Sequence, residues 1–178
     1  MDSQDFELMI RQDAEVQKVF LSTLEWLIAV TNRYYSPIEF GLVHISFGHQ
    51  HDLGEAYGAV DAIWQLVKFT STFKKAFRKT DLVARIGIDY WIIVPYTPAS
   101  EGIYEKVLGT LKLAEHEGLQ VVERRTSIFT LSILLKKLEK SLTELNALEF
   151  LAHLKENRET YAKHTFVLPP APRSDLAV

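Results

Sequence analysis

Three observations predict a mixed α/β fold around one hydrophobic core. Apolar residues change spacing along the chain, from the three-to-four-residue period of amphipathic helices to short, nearly continuous runs rich in β-branched and aromatic residues. Turn formers separate these segments, among them Pro37, Gly48, Gly54, Gly87 and Gly118. The length of 178 residues, 47% hydrophobic and 24% charged, suffices for one sizeable core and falls short of two comfortable domains. An alternation of the two periods argues for an α/β arrangement rather than a helical bundle.

The elements follow in order. From about Phe6 to Tyr34, Val16, Phe20, Leu24, Leu27, Ile28 and Thr31 recur at helical spacing and predict a long amphipathic helix stopped before Pro37. It is longer than a capping helix requires, so part of its apolar surface, including Trp26, is a candidate contact with a second copy or another protein. Phe40 to Phe47 reads as a largely buried first strand, followed by a polar loop through Gly48, His49, Gln50, His51, Asp52 and Gly54. Ala56 to Phe77 is helical, with Val60, Ile63, Trp64, Val67, Thr70, Phe73 and Phe77 as its apolar face. Leu82–Ile86 and Tyr90–Val94 are two short strands joined by a Gly87-Ile88-Asp89 turn. Glu101 to Glu117 is a helix ended by Gly118 as C-cap. Gln120 to Leu134 is the longest β-like run, Lys136 to Tyr161 is helical, and Leu168-Pro169-Pro170-Ala171-Pro172 is an extended tail.

Composition narrows the function. A net charge of −3 gives no general basic field for nucleic acid, although a local basic site for one small anion remains open. The absence of cysteine excludes disulfides, thiolate metal sites and cysteine nucleophiles. The N-terminus is acidic and no apolar run approaches the roughly 20 residues that span a bilayer, so the expectation is a soluble cytoplasmic protein without a membrane span.

The stretch Arg78-Lys79-Thr80-Asp81-Leu82-Val83-Ala84-Arg85-Ile86-Gly87-Ile88-Asp89-Tyr90-Trp91, running on to Pro95, carries a resemblance. It looks like the centre of a GGDEF (diguanylate cyclase) domain, which usually reads Arg-x-x-Asp-x-x-x-Arg-x-Gly-Gly-Asp-Glu-Phe. Here the signature is degenerate: Gly87-Ile88-Asp89-Tyr90-Trp91. Tyr57-Gly58, Leu66, Arg78 and Asp81 stand at the family's spacing. The similarity covers about Phe40 to Val94 and continues as element order from Glu101 to Lys163. It implies a nucleotidyl-cyclase palm-like fold, a mostly antiparallel sheet flanked by helices. The expected organisation is an N-terminal helix at 1–36, a degenerate GGDEF domain at 37–166 and a Pro-rich tail at 167–178.

The resemblance also implies what has been lost. Cyclase chemistry needs divalent cations on carboxylates, supplied in the family by an Asp-x-Asp-like end of the first strand and an acid in the turn. This chain has His44-Ile45-Ser46 at the strand, Ile88 for the second glycine and Tyr90 for the following acid, leaving Asp89 alone. One carboxylate beside an imidazole is a poor Mg²⁺ anchor, and the bland reading of Asp89 is a turn cap. The guanine-reading pair is recoverable as Asp52 and Asp61 only under a shifted alignment; the better one puts Ile63 at the later position. The retained part is Arg78-Lys79-Thr80-Asp81, at the family's inhibitory site, where Arg and Asp hold cyclic di-GMP. Its bland reading is a helix-end pair. A further Arg that the family often adds from the next helix is missing, Lys106 and Lys112 being the cations there. The expectation is a non-catalytic cyclic di-GMP receptor with no metal or other cofactor, binding through Arg78 and Asp81, with Gly87 and Asp89 as active-site remnants. Its occupancy would pass to a protein partner or a homodimer through the N-terminal helix. A ligand-free interaction scaffold is the alternative, a residual cyclase a weaker one.

Other groups carry less. His44, His49 and His51 lack metal-ligand spacing, and the expectation is a loop with a buried His44. Ser46 has no nucleophile-elbow glycines. Arg124-Arg125 reads as a solvated strand edge, and Lys136, Lys137, Glu139 and Lys140 as the solvent face of the last helix.

Overall fold

A strand covered on both faces reads as a continuous apolar run, and β1 (Phe40–Phe47) is buried at every position after the first. The computed structural model, which describes residues 3–34, 39–48, 50–95, 101–115, 119, 122–138 and 144–171, places it at the centre of a five-stranded sheet. The other strands are β2 (Leu82–Ile86), β3 (Asp89–Pro95), β4 (Arg124–Thr130) and β5 (His164–Leu168). Their order is β2-β3-β1-β4-β5, with every neighbour antiparallel. In this register His44 lies opposite Trp91 and Ser127, and Ser46 opposite Asp89 and Arg125.

Seven helices among the described residues cover the sheet: α1 (Ser3–Tyr34), α2 (Gln50–Tyr57), α3 (Ala59–Ala76), α4 (Glu101–Glu115), α5 (Leu131–Lys137), α6 (Ala147–Glu156) and α7 (Arg158–Tyr161). Strand alternation divides the core in two. Val43, Ile45, Phe47, Tyr90, Ile92 and Val94 face α2, α3 and α4, whereas Leu42, Trp91, Ile93 and Phe129 face α1, α5 and α6. The first half is aromatic at its centre: Tyr90 packs within 5.0–5.7 Å of Phe47, Phe69 and Phe73, ring centroid to ring centroid. No helix among the described residues is long and apolar enough to cross a membrane.

Local chemistry accounts for several boundaries. Gly87 adopts φ 65° in the β2–β3 turn, a conformation that costs glycine nothing. α6 opens on a full capping box, the Asn146 side chain accepting from Glu149 N–H and Glu149 accepting from Asn146 N–H. Glu25 of α1 accepts from Ala147 N–H at 3.0 Å and so ties the two helices together.

The structure corrects several expectations. The polar loop after β1 is largely helix α2, held by the buried Leu53. On α3 the expected Val67, Thr70 and Phe73, and Phe77 just past its end, are buried, but the start of the expected face is not: Val60 is 71% and Ile63 41% exposed, and Ala62, Leu66 and Phe69 are buried instead. The run 120–134 is strand only over Arg124–Thr130 and continues as α5. The helix expected over 136–161 is divided into the end of α5, then α6 and α7. Before the proline tail stands an unforeseen strand, β5, paired with β4. Arg124 is no solvated edge residue: its side chain is buried, donating to Glu115 at 2.9 Å and to the Pro169 carbonyl at 3.0 Å. Lys136 and Lys137 are exposed but end α5 rather than the last helix. His49, Gly118, Glu139, Lys140 and Pro172 lie outside the described residues.

Candidate functional site

The β2–β3 turn and the end of β1 bring His44, Asp89 and Trp91 together. Trp91 stacks on the fully buried His44, with centroids 4.3 Å apart and planes at 26°. Two residues before Trp91 on the same face, Asp89 places Oδ1 3.2 Å from His44 Nε2. Its Oδ2 accepts from Lys155 Nζ, delivered by α6, at 2.5 Å. Tyr90 points to the opposite face, where its hydroxyl donates to the Leu66 carbonyl beside Thr70. Asp89 is therefore a bridge between β1, β3 and α6, and the expected turn cap is corrected.

The electrostatics follow from burial and pairing. Burial lowers the His44 pKa against the pull of Asp89, with the positive charges of Lys155 and Arg158 adding to the effect. Burial alone would raise Asp89, but the His44 contact and the Lys155 ammonium together hold its carboxyl below the ordinary value. At neutral pH the His44 imidazole is therefore neutral and the Asp89 carboxylate ionised. Asp89 is a single carboxylate, with Oδ2 hydrogen-bonded by Lys155 and Oδ1 close to His44 Nε2, and no group of three or more His, Asp or Glu stands together among the described residues. Beside it a polar cavity of about 300 Å³ is lined by Ser46, Asp52, Ile88, Glu123, Arg125, Lys155 and Arg158. Ile88, next to Gly87 in the turn, forms part of its wall, and Arg125 is paired with Glu123 at 3.1 Å.

The second locus lies where α3 hands over to β2. Arg78, Asp81 and Lys106 line one cavity of about 180 Å³ with Phe77, Val94 and Ile103. The Asp81 side chain is 3% exposed; it accepts from Arg78 N–H at 2.9 Å, and Lys106 Nζ stands 3.9 Å away. The helix-end role is thus realised for Asp81, while Arg78 is exposed. Lys106 also sits 4.8 Å from the Phe77 ring centroid, so the cation that the next helix contributes is already held over this site. Asp81 lines a second cleft as well, an apolar one of about 350 Å³ between α1, which contributes Val16, Val19 and Phe20, and Leu82 and Val83 of β2.

Of the sequence candidates, the structure brings Arg78 and Asp81 together and places Gly87 and Asp89 at a separate locus. Sequence reasoning missed Lys155 and the pair Arg85–Asp13, whose Nη2 and Oδ2 are 2.6 Å apart with both side chains largely covered. A signal existed for each. Lys155 continues the i, i+4 row of the buried Ala147 and Leu151, and Asp13 falls on the inward side of α1; a charge in a buried row needs a partner.

No protein-family profile and no curated protein matches this chain. Solved structures do. A microbial GGDEF domain, described for its interaction with bis-(3′,5′)-cyclic di-GMP, aligns with TM-score 0.52 and 13% identity over 78% of this chain and 80% of its own. The diguanylate cyclase SiaD of Pseudomonas aeruginosa, in complex with its activator SiaC, aligns with TM-score 0.51 and 14% identity over 87% of this chain and 66% of its own. At such identities the likeness establishes the fold, which is GGDEF-like.

Proposed function

We propose that this chain is a non-catalytic receptor for cyclic di-GMP built on a GGDEF-like fold, holding the dinucleotide at Arg78, Asp81 and Lys106. The observation that carries the reading is the convergence of these three side chains on one cavity. Its polar set suits the ligand: a planar guanidinium for a phosphate or a guanine edge, a carboxylate for guanine N–H groups, and an ammonium for the second phosphate. The cavity is smaller than the ~300 Å³ at which ligand pockets begin, so it takes one base edge while the rest of the dinucleotide lies over exposed Arg78. Engaging Asp81 requires Lys106 to turn from the carboxylate toward a phosphate.

The absence of catalysis rests on the other locus, where Lys155 occupies the carboxylate a metal would need and Tyr90 is a core residue. Relay rests on Asp81, which lines both the ligand cavity and the cleft against α1. The GGDEF domain reported with cyclic di-GMP and the cyclase reported with a protein activator lend the reading its precedent.

Isothermal titration with cyclic di-GMP tests it. Saturable binding is expected, weakened at least about tenfold by Arg78→Ala, the loss of one charge-assisted contact, and also weakened by Lys106→Ala. GTP with Mg²⁺ should yield no cyclic dinucleotide. Absence of binding, or binding that Arg78→Ala leaves unchanged, overturns the assignment.

A further inference from the structure

Two cavities adjoin along α1, and they differ in chemistry. One, of about 340 Å³, lies between α1 and α3 and has Gln12, Asp13, Ser71, Lys74 and Lys75 among its walls. The other, of about 350 Å³, is the apolar cleft against β2, walled by Val16, Val19, Phe20, Leu82 and Val83. Lys74 lines both, a place that suits a side chain apolar along its stem and charged at its tip. Along α1, Met9, Gln12 and Asp13 serve the first and Glu15 to Phe20 the second, so the two make one groove, polar at one end and apolar at the other. Each half exceeds the ~300 Å³ at which ligand pockets begin.

The polar end defines the head group it would take. Asp13 is 9% exposed; Arg85 Nε and Nη2 donate to its Oδ2 at 3.0 Å and 2.6 Å, while its Oδ1 is buried without a hydrogen-bond partner among the described residues. A buried acceptor of this kind calls for a donor. Lys74 and Lys75 are exposed, and neither forms an ion pair among the described residues. Since Arg85 already neutralises Asp13, this end carries surplus positive charge and calls for an anion. From this juxtaposition we infer that the groove binds an N-acyl amino acid, an acyl chain joined through an amide to a carboxylate. The amide N–H donates to Asp13 Oδ1, the carboxylate meets Lys74 and Lys75, and the chain runs into the apolar cleft. Asp13 to Phe20 covers about 10 Å along α1, the reach of an extended chain of medium length. The acids of the apolar half are engaged elsewhere, Glu15 by Lys18 at 3.0 Å and Asp81 by Arg78 N–H at 2.9 Å. A simple fatty acid would leave Oδ1 unpaired and set its own carboxylate against it; an aliphatic amine would be repelled by the two lysines. Arg78 and Lys106 line neither half, so the inference stands or falls independently of the cyclic di-GMP reading.

Isothermal titration of the full chain with N-decanoylglycine, kept below its micellar range, should show saturable binding. The donor is best removed from the ligand, because Asp13 also holds Arg85 and its substitution would disturb α1. N-decanoylsarcosine, in which a methyl group replaces the amide hydrogen, should bind at least about tenfold more weakly, the loss of one hydrogen bond to a charged group. Decanoate should be weakened likewise, and N-acetylglycine, which lacks the chain, should give no signal. The double variant Lys74→Ala/Lys75→Ala and the single variant Val19→Asp alter exposed positions at opposite ends of the groove. Each, checked by circular dichroism for retained fold, should weaken the binding of N-decanoylglycine. No saturable binding of N-decanoylglycine, equal binding of the sarcosine analogue or of decanoate, or binding unchanged in either variant overturns the inference.

Discussion

Asp89 is held from two sides, by β1 and by α6. Trp91 covers His44, His44 touches one oxygen of the carboxylate, and Lys155 holds the other. This pairing sets a pH dependence with a defined sign. Burial depresses the His44 pKa from 6.5, so between that value and the folded-state pKa the unfolded chain takes up a proton that the folded chain refuses. His44 therefore subtracts stability as pH falls below 6.5 and contributes nothing above it. Asp89, also depressed, adds its own loss only near its ordinary value of 3.8. Denaturant unfolding at a series of pH values should show stability declining from about pH 6.5 downward. His44→Phe, which keeps a ring against Trp91, should flatten that decline; an unchanged slope would place the titration elsewhere. Part of this residue-level arrangement was legible in the sequence, which marked Asp89 as a lone carboxylate and His44 as buried. Lys155 was legible only as a charge on the row of Ala147 and Leu151; which partner it takes was not, because Asp89 lies 66 positions away.

Elements were legible where periodicity and punctuation agree. The stripe of α1, the apolar run of β1 and the Gly87 turn each combine a clear period with a stop. They were illegible where one was missing. Thr130-Leu131 carries no breaker, and β4 ends because Gly41↔Thr130 is the last pair that β1 offers it; the apolar run then continues as helix. α2 is polar and includes Gly54, so its helicity comes from the packing of Leu53 rather than from propensity. β5 is a half-exposed edge strand, secured by backbone pairing with β4 and by Phe166 against Tyr104. By contrast α6 depends on a local device. Asn146→Ala removes the acceptor for Glu149 N–H and should lower stability by about 1 kcal/mol. Equilibrium unfolding measures it, and a change below a few tenths would show that the Glu25 contact to Ala147 already fixes this helix start.

For the whole molecule, the consequential fact is that α1 is part of the fold rather than an appendage to it. Phe20, Leu24, Leu27 and Ile28 are each no more than 4% exposed and close one face of the sheet over Leu42, Trp91 and Ile93. Asp13 fixes the same helix to Arg85 of β2. Burying four such side chains contributes on the order of 6–12 kcal/mol at 1.5–3 kcal/mol each, comparable to the entire 5–15 kcal/mol by which domains of this size are stable. A fragment starting at residue 39 should therefore fail to unfold cooperatively and should lose the near-ultraviolet signal of Trp91, because the face that α1 covers would be left to water. A fragment that melts in one sharp transition with that signal intact would show the sheet and its remaining helices to be self-sufficient. The expected failure has a consequence for signalling. Any displacement of α1 that starts in the cleft it shares with Asp81 is resisted by the core itself, so the proposed receptor would transmit occupancy through small shifts of a packed helix rather than by its release.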